Sequence, residues 1–262
     1  MHTRESQMQA FGRLLDVMDE LRAKCPWDKE QTNESLRPLT IEETYELSEA
    51  LLDDDSAEIS KELGDILLHI VFYAKIGSEK KQFDIEDVCE KLIQKLIYRH
   101  PHIFGEVEVA DAREVEKNWE KLKLKEKDGN KSVLAGVPEA LPSMIKAFRM
   151  QDKARGVGFD WDHPEQVWDK VKEEFNELMV EINSMDTDKM ESEFGDLFFS
   201  LINAARLYQI NPDNALERTN HKFRSRFNYL EERTLQQGLS LRKMTLEEMD
   251  LIWNEAKALE LK

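Results

Sequence analysis

The chain has 262 residues, of which 40% are hydrophobic, and its formal net charge is −17 at neutral pH. This length and hydrophobic content suffice for two compact domains of ordinary size. The negative charge argues against a protein that grips nucleic acid through its phosphates, because that mode of binding depends on clustered Lys and Arg. No stretch approaches the roughly 18 apolar residues of a membrane span, and residues 1–10 lack the apolar core of a signal peptide. We therefore expect neither membrane association nor secretion.

Two cysteines, Cys25 and Cys89, lie 64 positions apart in the first half of the chain. This spacing indicates neither a CxxC metal site nor a disulfide framework. A reduced, cytoplasmic protein is the simplest expectation.

Apolar residues recur at helical spacing in both halves of the chain. In the first half one stripe follows residues 59–74, and in the second half two stripes follow residues 168–182 and 190–205. Steps of three and four residues are typical of amphipathic helices, so each half should contain a helical hairpin. Only residues 107–109 form a short segment that is also compatible with a strand. We predict an all-α protein.

The two halves are separated by a segment rich in residues that break regular structure. Residues 126–142 include Gly129, Gly136, Pro138 and Pro142, together with several polar residues. Such a composition suits a linker. The sequence thus predicts two tandem helical-bundle domains, at residues 1–127 and 141–262, joined by a linker at 128–140.

A pattern of five carboxylates occurs twice, at a constant offset of 131 residues. Both copies have the form Glu-Glu-x-x-Glu, fifteen residues, then Glu-x-Gly-Asp, which indicates an internal duplication. Solvated acidic faces do not usually repeat this faithfully. The two sets are Glu42, Glu43, Glu46, Glu62 and Asp65, and Glu173, Glu174, Glu177, Glu193 and Asp196.

Helical geometry gives these carboxylates a common direction. Residues three apart share a helix face, so Glu174 projects with Glu177 and Glu193 projects with Asp196. If the two helices pack across a short loop at residues 183–188, four oxygen donors converge at the edge of the core. Carboxylates that close need a cation or raised pKa values. Oxygen-only ligation suits magnesium, with manganese as a substitute.

Gly64 and Gly195 interrupt the apolar stripes, where glycine costs roughly 1 kcal/mol relative to alanine. We expect close approach there by a ligand or by a neighbouring helix.

Three other interpretations of the acidic pattern remain open at this point. In the first interpretation, the carboxylates are ordinary surface charges, which is the usual meaning of a single acidic helix face. In the second, they belong to a di-iron bundle, although such bundles normally use Glu-x-x-His, which this sequence lacks. In the third, they form the surface of a non-enzymatic helical scaffold or regulatory partner that binds a basic protein. Metal analysis and optical spectra of the purified protein would reveal an iron centre.

The repeated carboxylate pattern resembles that of the MazG family of tandem-domain nucleoside triphosphate pyrophosphohydrolases. The resemblance includes Cys-Pro-Trp-Asp-Lys-Glu-Gln-Thr at residues 25–32, Arg-His-Pro-His at 99–102 and Val-Gly-Phe-Asp-Trp at 157–161, and it covers the full length. It implies an all-α fold, usually a homodimer. It also implies magnesium-dependent cleavage of a nucleoside triphosphate between its α- and β-phosphates, to a nucleoside monophosphate and pyrophosphate.

The resemblance also implies roles for individual residues. Glu174, Glu177, Glu193 and Asp196 are the expected metal ligands, and Glu173 is expected to orient or deprotonate the attacking water or to bind a second ion. The alternative for Glu173 is a charge that supports a metal ligand without touching the ion, or a solvated charge. The residues expected to hold the substrate are Lys170, Lys189, Lys222, Arg226 and Trp253. For Lys170 and Lys189 the alternative is an ordinary salt bridge to Glu174 or Glu193.

The first copy keeps its own candidate metal ligands, Glu43, Glu46, Glu62 and Asp65. At an offset of 131, however, Lys170, Lys172 and Lys189 correspond to Leu39, Ile41 and Glu58. Because three nearby cations are missing, we expect the second copy to perform most of the hydrolysis. The first copy would bind metal and serve dimerisation, regulation or weaker turnover.

Overall fold

The structure is a computed structural model that describes residues 2–111, 114–115, 118–119, 122 and 132–260. The predicted all-α class is confirmed: the described residues form helices and connecting turns and contain no strand, and residues 107–109 are irregular. None of the helices formed by these residues has the length and apolarity needed to cross a bilayer.

The chain divides into two compact units, Met1–Val115 and Glu116–Lys262. This division lies before the linker that the sequence predicts at 128–140. Residues 128–131 of that linker lie outside the described residues, whereas 132–140 form turns around a short 3-10 helix, Leu134–Gly136. The limits 1–127 and 141–262 remain predictions.

The first unit is built on a long helical hairpin. Its helices are α1 (Arg4–Lys24), α2 (Pro26–Glu30), α3 (Asn33–Asp53), α4 (Ser56–Glu79), α5 (Ile85–Arg99) and α6 (Pro101–Phe104). Helix α4 packs against α3, α1 and α5. The core consists of Met18, Leu36, Val71, Phe72 and Ile76, contributed by α1, α3 and α4.

A tight turn fixes the register of α3 against α4. Asp54 adopts a left-handed conformation with φ 54°, and the carboxylate of Asp55 then accepts hydrogen bonds from the first amides of α4. Further along the hairpin, Thr40 Oγ1 lies 2.9 Å from His69 Nδ1 and 2.7 Å from the Tyr73 hydroxyl. These contacts hold α3 against α4 close to the acidic residues of both helices.

The second unit repeats the hairpin and adds helices around it. The helices are α7 (Ser143–Gly156), α8 (Val167–Ser184), α9 (Thr187–Leu207), α10 (Pro212–Gln236) and α11 (Leu246–Glu260). Helix α8 packs on α9, α10 packs on α11, and α7 contacts both α9 and α10. Its buried apolar residues include Val167, Leu178, Ile202, Leu230, Ile252 and Ala256.

The turn between α8 and α9 has the same design as that of the first hairpin. Met185 is left-handed with φ 58°, and Asp186 caps α9 by accepting from the amide of Lys189. The loop expected at 183–188 is therefore shorter, because α8 ends at Ser184 and α9 begins at Thr187. This two-residue connection brings the acidic faces of α8 and α9 into contact.

Candidate metal and nucleotide site

Three carboxylates of the second hairpin converge. Glu174 and Glu177 project from α8 and Glu193 projects from α9, and one oxygen of each lies within 4.8 Å of the others. The spacing that places Glu174 and Glu177 on one helix face thus has the expected consequence. Asp196, the fourth predicted ligand, is not among these three and lies one turn further along α9.

The electrostatics of this C-terminal cluster favour a cation. Glu174 is 6% exposed, and Glu193 Oε2 is buried without a hydrogen-bond partner among the described residues. Burial, followed by repulsion from Glu177, Asp196 and Glu174, raises the pKa of Glu193. An unsatisfied buried acceptor beside like charges is costly unless a proton or a metal ion compensates it. The donor set therefore fits a hard divalent ion such as magnesium.

Lys170 lies against the predicted metal ligands. Its ammonium is 2.6 Å from Glu174 Oε1 and 2.9 Å from Glu173 Oε1. Hydrogen bonds to Glu174 and then Glu173 raise the pKa of Lys170 above its ordinary value. The salt bridge considered as an alternative for Lys170 is present, and it places the lysine at the edge of the C-terminal cluster. Glu173 itself points outward, with its side chain 54% exposed.

Lys189 lies at the turn between the hairpin helices. Its Nζ atom is 3.6 Å from Asp186 Oδ2 and 3.9 Å from Glu181 Oε2. The ion pairs formed by this exposed side chain are thus with Asp186 and Glu181, and the salt bridge to Glu193 considered as an alternative is not among them. A role of Lys189 in substrate binding requires its exposed side chain to leave the turn.

Arg226 and Trp253 meet on α10 and α11. The Arg226 guanidinium carbon is 5.8 Å from the centre of the Trp253 ring, a cation–π distance. The Phe223 ring of α10 packs against Trp253, with the two ring centres 5.1 Å apart. Lys222 is exposed on α10 next to Phe223. Sequence reasoning missed Phe223, although its position between Lys222 and Arg226 could have marked it.

The first hairpin forms a second carboxylate cluster. Oxygens of Glu43, Glu62 and Asp65 lie within 4.8 Å of one another, whereas Glu46 is exposed and outside this N-terminal cluster. Glu62 is 2% exposed, and its Oε2 atom has no hydrogen-bond partner in the described part of the chain. Burial, and then repulsion from Asp65 and Glu46, raises the pKa of Glu43. Each cluster thus has three converging carboxylates, of which two occupy aligned positions, Glu43 with Glu174 and Glu62 with Glu193. The unsatisfied buried oxygen belongs to the aligned residues Glu62 and Glu193.

The N-terminal cluster has a cation that sequence reasoning missed. Lys61 Nζ is 2.7 Å from Glu62 Oε1 and 3.3 Å from Glu58 Oε2. These hydrogen bonds, Glu62 first, raise the pKa of Lys61 above its ordinary value. The comparison of aligned positions did not reveal Lys61 because its counterpart in the second copy is Ser192. The first copy lacks Lys170, Lys172 and Lys189 but has a different cation of its own.

Both interrupting glycines face open space. A Cβ atom placed on Gly64 or on Gly195 would meet no described atom within 4 Å apart from its chain neighbours and the backbone of its own helix. The expectation that a neighbouring helix of the described chain requires glycine at these positions is therefore wrong. Room for a bound ligand or for a second molecule remains beside both residues.

Comparison with known proteins agrees with these features. The family model described as the MazG nucleotide pyrophosphohydrolase domain matches twice, at residues 31–104 and 163–230. The chain is 41% identical over 250 residues to the nucleoside triphosphate pyrophosphohydrolase/pyrophosphatase MazG of Thermotoga maritima, covering 94% of this chain and 95% of that protein. It is 38% identical over 261 residues to the nucleoside triphosphate pyrophosphohydrolase of Escherichia coli K12, covering 97% and 99%.

A solved structure, that of a MazG-related protein from Thermotoga maritima, matches 43% of this chain and 97% of its own, at 29% identity and a TM-score of 0.38.

The family model covers more than half of the chain, in two copies that each contain one carboxylate hairpin. The chain belongs to the MazG nucleotide pyrophosphohydrolase family.

Proposed function

We propose that this member of a pyrophosphohydrolase family uses magnesium to hydrolyse ribonucleoside and deoxyribonucleoside triphosphates between the α- and β-phosphates. The products would be a nucleoside monophosphate and pyrophosphate, and the role would be control or cleansing of the nucleotide pool. One observation carries the metal-dependent part of this proposal. Oxygens of Glu174, Glu177 and Glu193 converge within 4.8 Å, and one buried oxygen of Glu193 lacks a partner among the described residues.

The three converging carboxylates would hold the ion, with Asp196 available from the next turn of α9. When bound, magnesium neutralises phosphate charge and polarises a phosphoryl oxygen, and manganese can take its place. Glu174 and Glu177 are fixed by α8 and Glu193 by α9, so the hairpin provides rigid ligands. Without the ion, these same carboxylates would repel a triphosphate.

Glu173 is the side chain best placed to act on the attacking water. It is exposed at the edge of the C-terminal cluster, and Lys170 donates a hydrogen bond to its Oε1 atom. A carboxylate there can accept the proton that water loses as its oxygen attacks the α-phosphorus. Lys170, which contacts both Glu173 and Glu174, can then shift an N–H donor to a phosphate oxygen, since its side chain is 40% exposed.

The remaining substrate contacts come from α10, α11 and the hairpin turn. Lys222 and Arg226 are four residues apart on α10 and share a face that suits the triphosphate. Trp253, already beside Arg226 and Phe223, offers an aromatic surface for the base or sugar. Lys189 is an exposed further cation at the start of α9.

We also infer that the protein is a homodimer that acts in the cytoplasm. Leu92, Ile93, Leu96 and Ile97 of α5 are each 44–46% exposed, and an apolar stripe of this kind is typical of a surface that a second copy covers. Both cysteines are free thiols, which fits a reducing compartment. Sedimentation of the purified protein measures the first inference directly.

The proposal is tested by following pyrophosphate release from separate ribo- and deoxyribonucleotides, with and without magnesium. Glu177→Ala should lower kcat/KM at least about a hundredfold, because it removes a metal ligand, whereas Asp65→Ala, which removes one of the three converging carboxylates of the first copy, should have a small effect. Glu191→Ala, at a nearby exposed position of α9, is the matched control. Equal losses from Glu177→Ala and Asp65→Ala would contradict the assignment of hydrolysis to the second hairpin. Tight binding of a basic partner without turnover would favour the scaffold alternative.

A further inference from the structure

The two hairpins neutralise their buried carboxylates in the same way but from different helices. In the first hairpin Lys61 bridges buried Glu62 and exposed Glu58, and in the second Lys170 bridges buried Glu174 and exposed Glu173. The two exposed partners are equally accessible, at 53% for Glu58 and 54% for Glu173. Each lysine therefore holds one carboxylate of its three-membered cluster and one outside it.

The lysine positions are not related by the duplication. At an offset of 131, Lys61 corresponds to Ser192 and Lys170 corresponds to Leu39. The lysine therefore precedes the first acidic motif in one copy and the second acidic motif in the other. Each cluster therefore has a lysine on a buried carboxylate, but the carboxylates differ in position too, since Glu62 corresponds to Glu193 and Glu174 corresponds to Glu43.

The contact between Lys61 and Glu62 places an ammonium where a metal ion would compete for the same oxygen atoms. Glu62 is one of the three converging carboxylates of the N-terminal cluster, and its Oε1 atom accepts from Lys61 at 2.7 Å. Its buried Oε2 atom has no described partner. The Lys61 side chain is 60% exposed, so its ammonium can move to Glu58 or into solvent without unfolding the helix.

We propose that Lys61 is a tethered counter-cation of the N-terminal cluster: its ammonium occupies Glu62 until a divalent ion displaces it, and it thereby sets the metal affinity of this cluster. The inference rests on the part of the proposed function that assigns metal binding to these hairpins. An ammonium bound to Glu62 stabilises the metal-free hairpin, because a buried carboxylate without a partner is costly. The same contact opposes metal binding, since the ion must replace a charge-assisted hydrogen bond.

Two properties of Lys61 variants then change in opposite directions. Lys61→Ser, which introduces the residue of the second copy, should tighten Mn²⁺ binding to the N-terminal cluster about tenfold and lower the melting temperature of the metal-free protein. Lys61→Gln, which keeps a donor of similar length without the charge, should also tighten binding with a smaller loss of stability. A surface ion pair without a role at the cluster would change neither property.

The measurement uses the full chain carrying Glu177→Gln and Glu193→Gln, which weaken the C-terminal cluster. Free Mn²⁺ is titrated by electron paramagnetic resonance, and melting is followed with and without the ion. Lys91→Ser, at an exposed position of α5 in the same unit, removes one positive charge from a residue of another helix and controls for the general effect of net charge. If neither Lys61 variant binds Mn²⁺ more tightly than Lys91→Ser does, the proposal is wrong.

Failure of this proposal and failure of the proposed function give different results. If the protein with both clusters intact binds Mn²⁺ and releases pyrophosphate but the N-terminal cluster binds none in any Lys61 variant, only the role of Lys61 is refuted. If the wild-type protein neither binds Mn²⁺ nor turns over nucleotides, the proposed metal-dependent function fails with it. Lys61→Ser with an intact C-terminal cluster reports turnover separately from N-terminal metal binding.

Discussion

Replacing Glu177 by Gln should have opposite effects on the metal-free and the metal-bound protein. Glu177 is one of three carboxylates whose oxygens lie within 4.8 Å, and glutamine keeps its size while removing its charge. Without metal, the change relieves repulsion, so the melting temperature should stay equal or rise slightly. Glu177 is exposed, which limits this gain to less than about 1 kcal/mol. With metal, the change removes a ligand and the stabilisation by the ion should fall.

The size of the second effect follows from linkage. An ion present at 100 times its Kd stabilises the state that binds it by about 2.7 kcal/mol. Loss of partners of metal ligands typically weakens binding about 10- to 100-fold, so loss of a ligand should cost at least about 100-fold. The same ion concentration then stabilises the variant by only about 0.4 kcal/mol. For a unit of the size of Glu116–Lys262, the wild-type shift is about 5–10 °C and that of the variant about 1–2 °C.

The assay is a thermal melt of both proteins over a Mn²⁺ titration, with Glu191→Gln as the control. Glu191 lies on α9 two residues from Glu193 and is exposed, so its substitution removes the same charge without removing a converging carboxylate. We expect the control to keep almost the whole wild-type shift. A Glu177→Gln protein that also keeps the wild-type shift would refute the reasoning that these carboxylates bind one ion together.

Three further predictions concern stability. Burial is the main cause that raises the pKa of Glu193. The stability of the wild type relative to Glu193→Gln should therefore be greatest below about pH 4.5 and should fall as pH rises through the folded-state pKa. Urea denaturation of the metal-free proteins at a series of pH values measures this difference. A hydrogen bond from Arg22 lowers the pKa of Glu79, so the stability of the wild type relative to Glu79→Gln should have the opposite pH dependence. The extra stability should be present above about pH 4.5 and should be lost as pH falls through the folded-state pKa. A stability difference that does not change with pH would contradict either prediction. Asp160 accepts two hydrogen bonds from Arg206, whose side chain is 6% exposed, so Asp160→Asn should destabilise by about 3–5 kcal/mol in calorimetry, and Asp160→Leu with Arg206→Met should recover most of the loss.

Helices and hairpins could be predicted from the sequence because they depend on local periodicity. The apolar stripe at residues 190–205 lies within α9, which spans Thr187–Leu207. In each hairpin one acidic pair, Glu174 with Glu177 or Glu62 with Asp65, converges with a carboxylate of the other helix, because helix geometry fixes residues three apart on one face. Short polar turns between the stripes were enough to indicate that the helices of each pair are neighbours.

The exact membership of each cluster could not be predicted in this way. Asp196 and Glu46 repeat as faithfully as the other carboxylates, yet neither belongs to the three that converge. Membership depends on the rotation and axial shift of one helix against the other, which the left-handed residues Asp54 and Met185 help to set. Nothing in a stripe of apolar residues specifies such a turn to within the few ångströms that metal ligation requires.

Lys61 escaped sequence reasoning for a different physical reason. Alignment of the copies compares residues at equal positions, but electrostatic stabilisation depends only on where a charge lies in space. An ammonium can reach a buried carboxylate from the residue directly before it, as Lys61 reaches Glu62, or from one turn away, as Lys170 reaches Glu174. The energetic requirement is the same in both cases, because a buried carboxylate must have a partner.

The duplicated sites are therefore better compared by charge than by position. Aligned residues alone describe the first copy as a site that keeps its metal ligands and has lost its cations. In space it keeps a cation on its most buried carboxylate, while the exposed turn loses Lys189 and gains Glu58. The differences that remain lie at the exposed turn and on the first helix of the hairpin, where Ile41 takes the place of Lys172. This places the expected asymmetry in the capture of the nucleotide and leaves both hairpins able to compete for a metal ion.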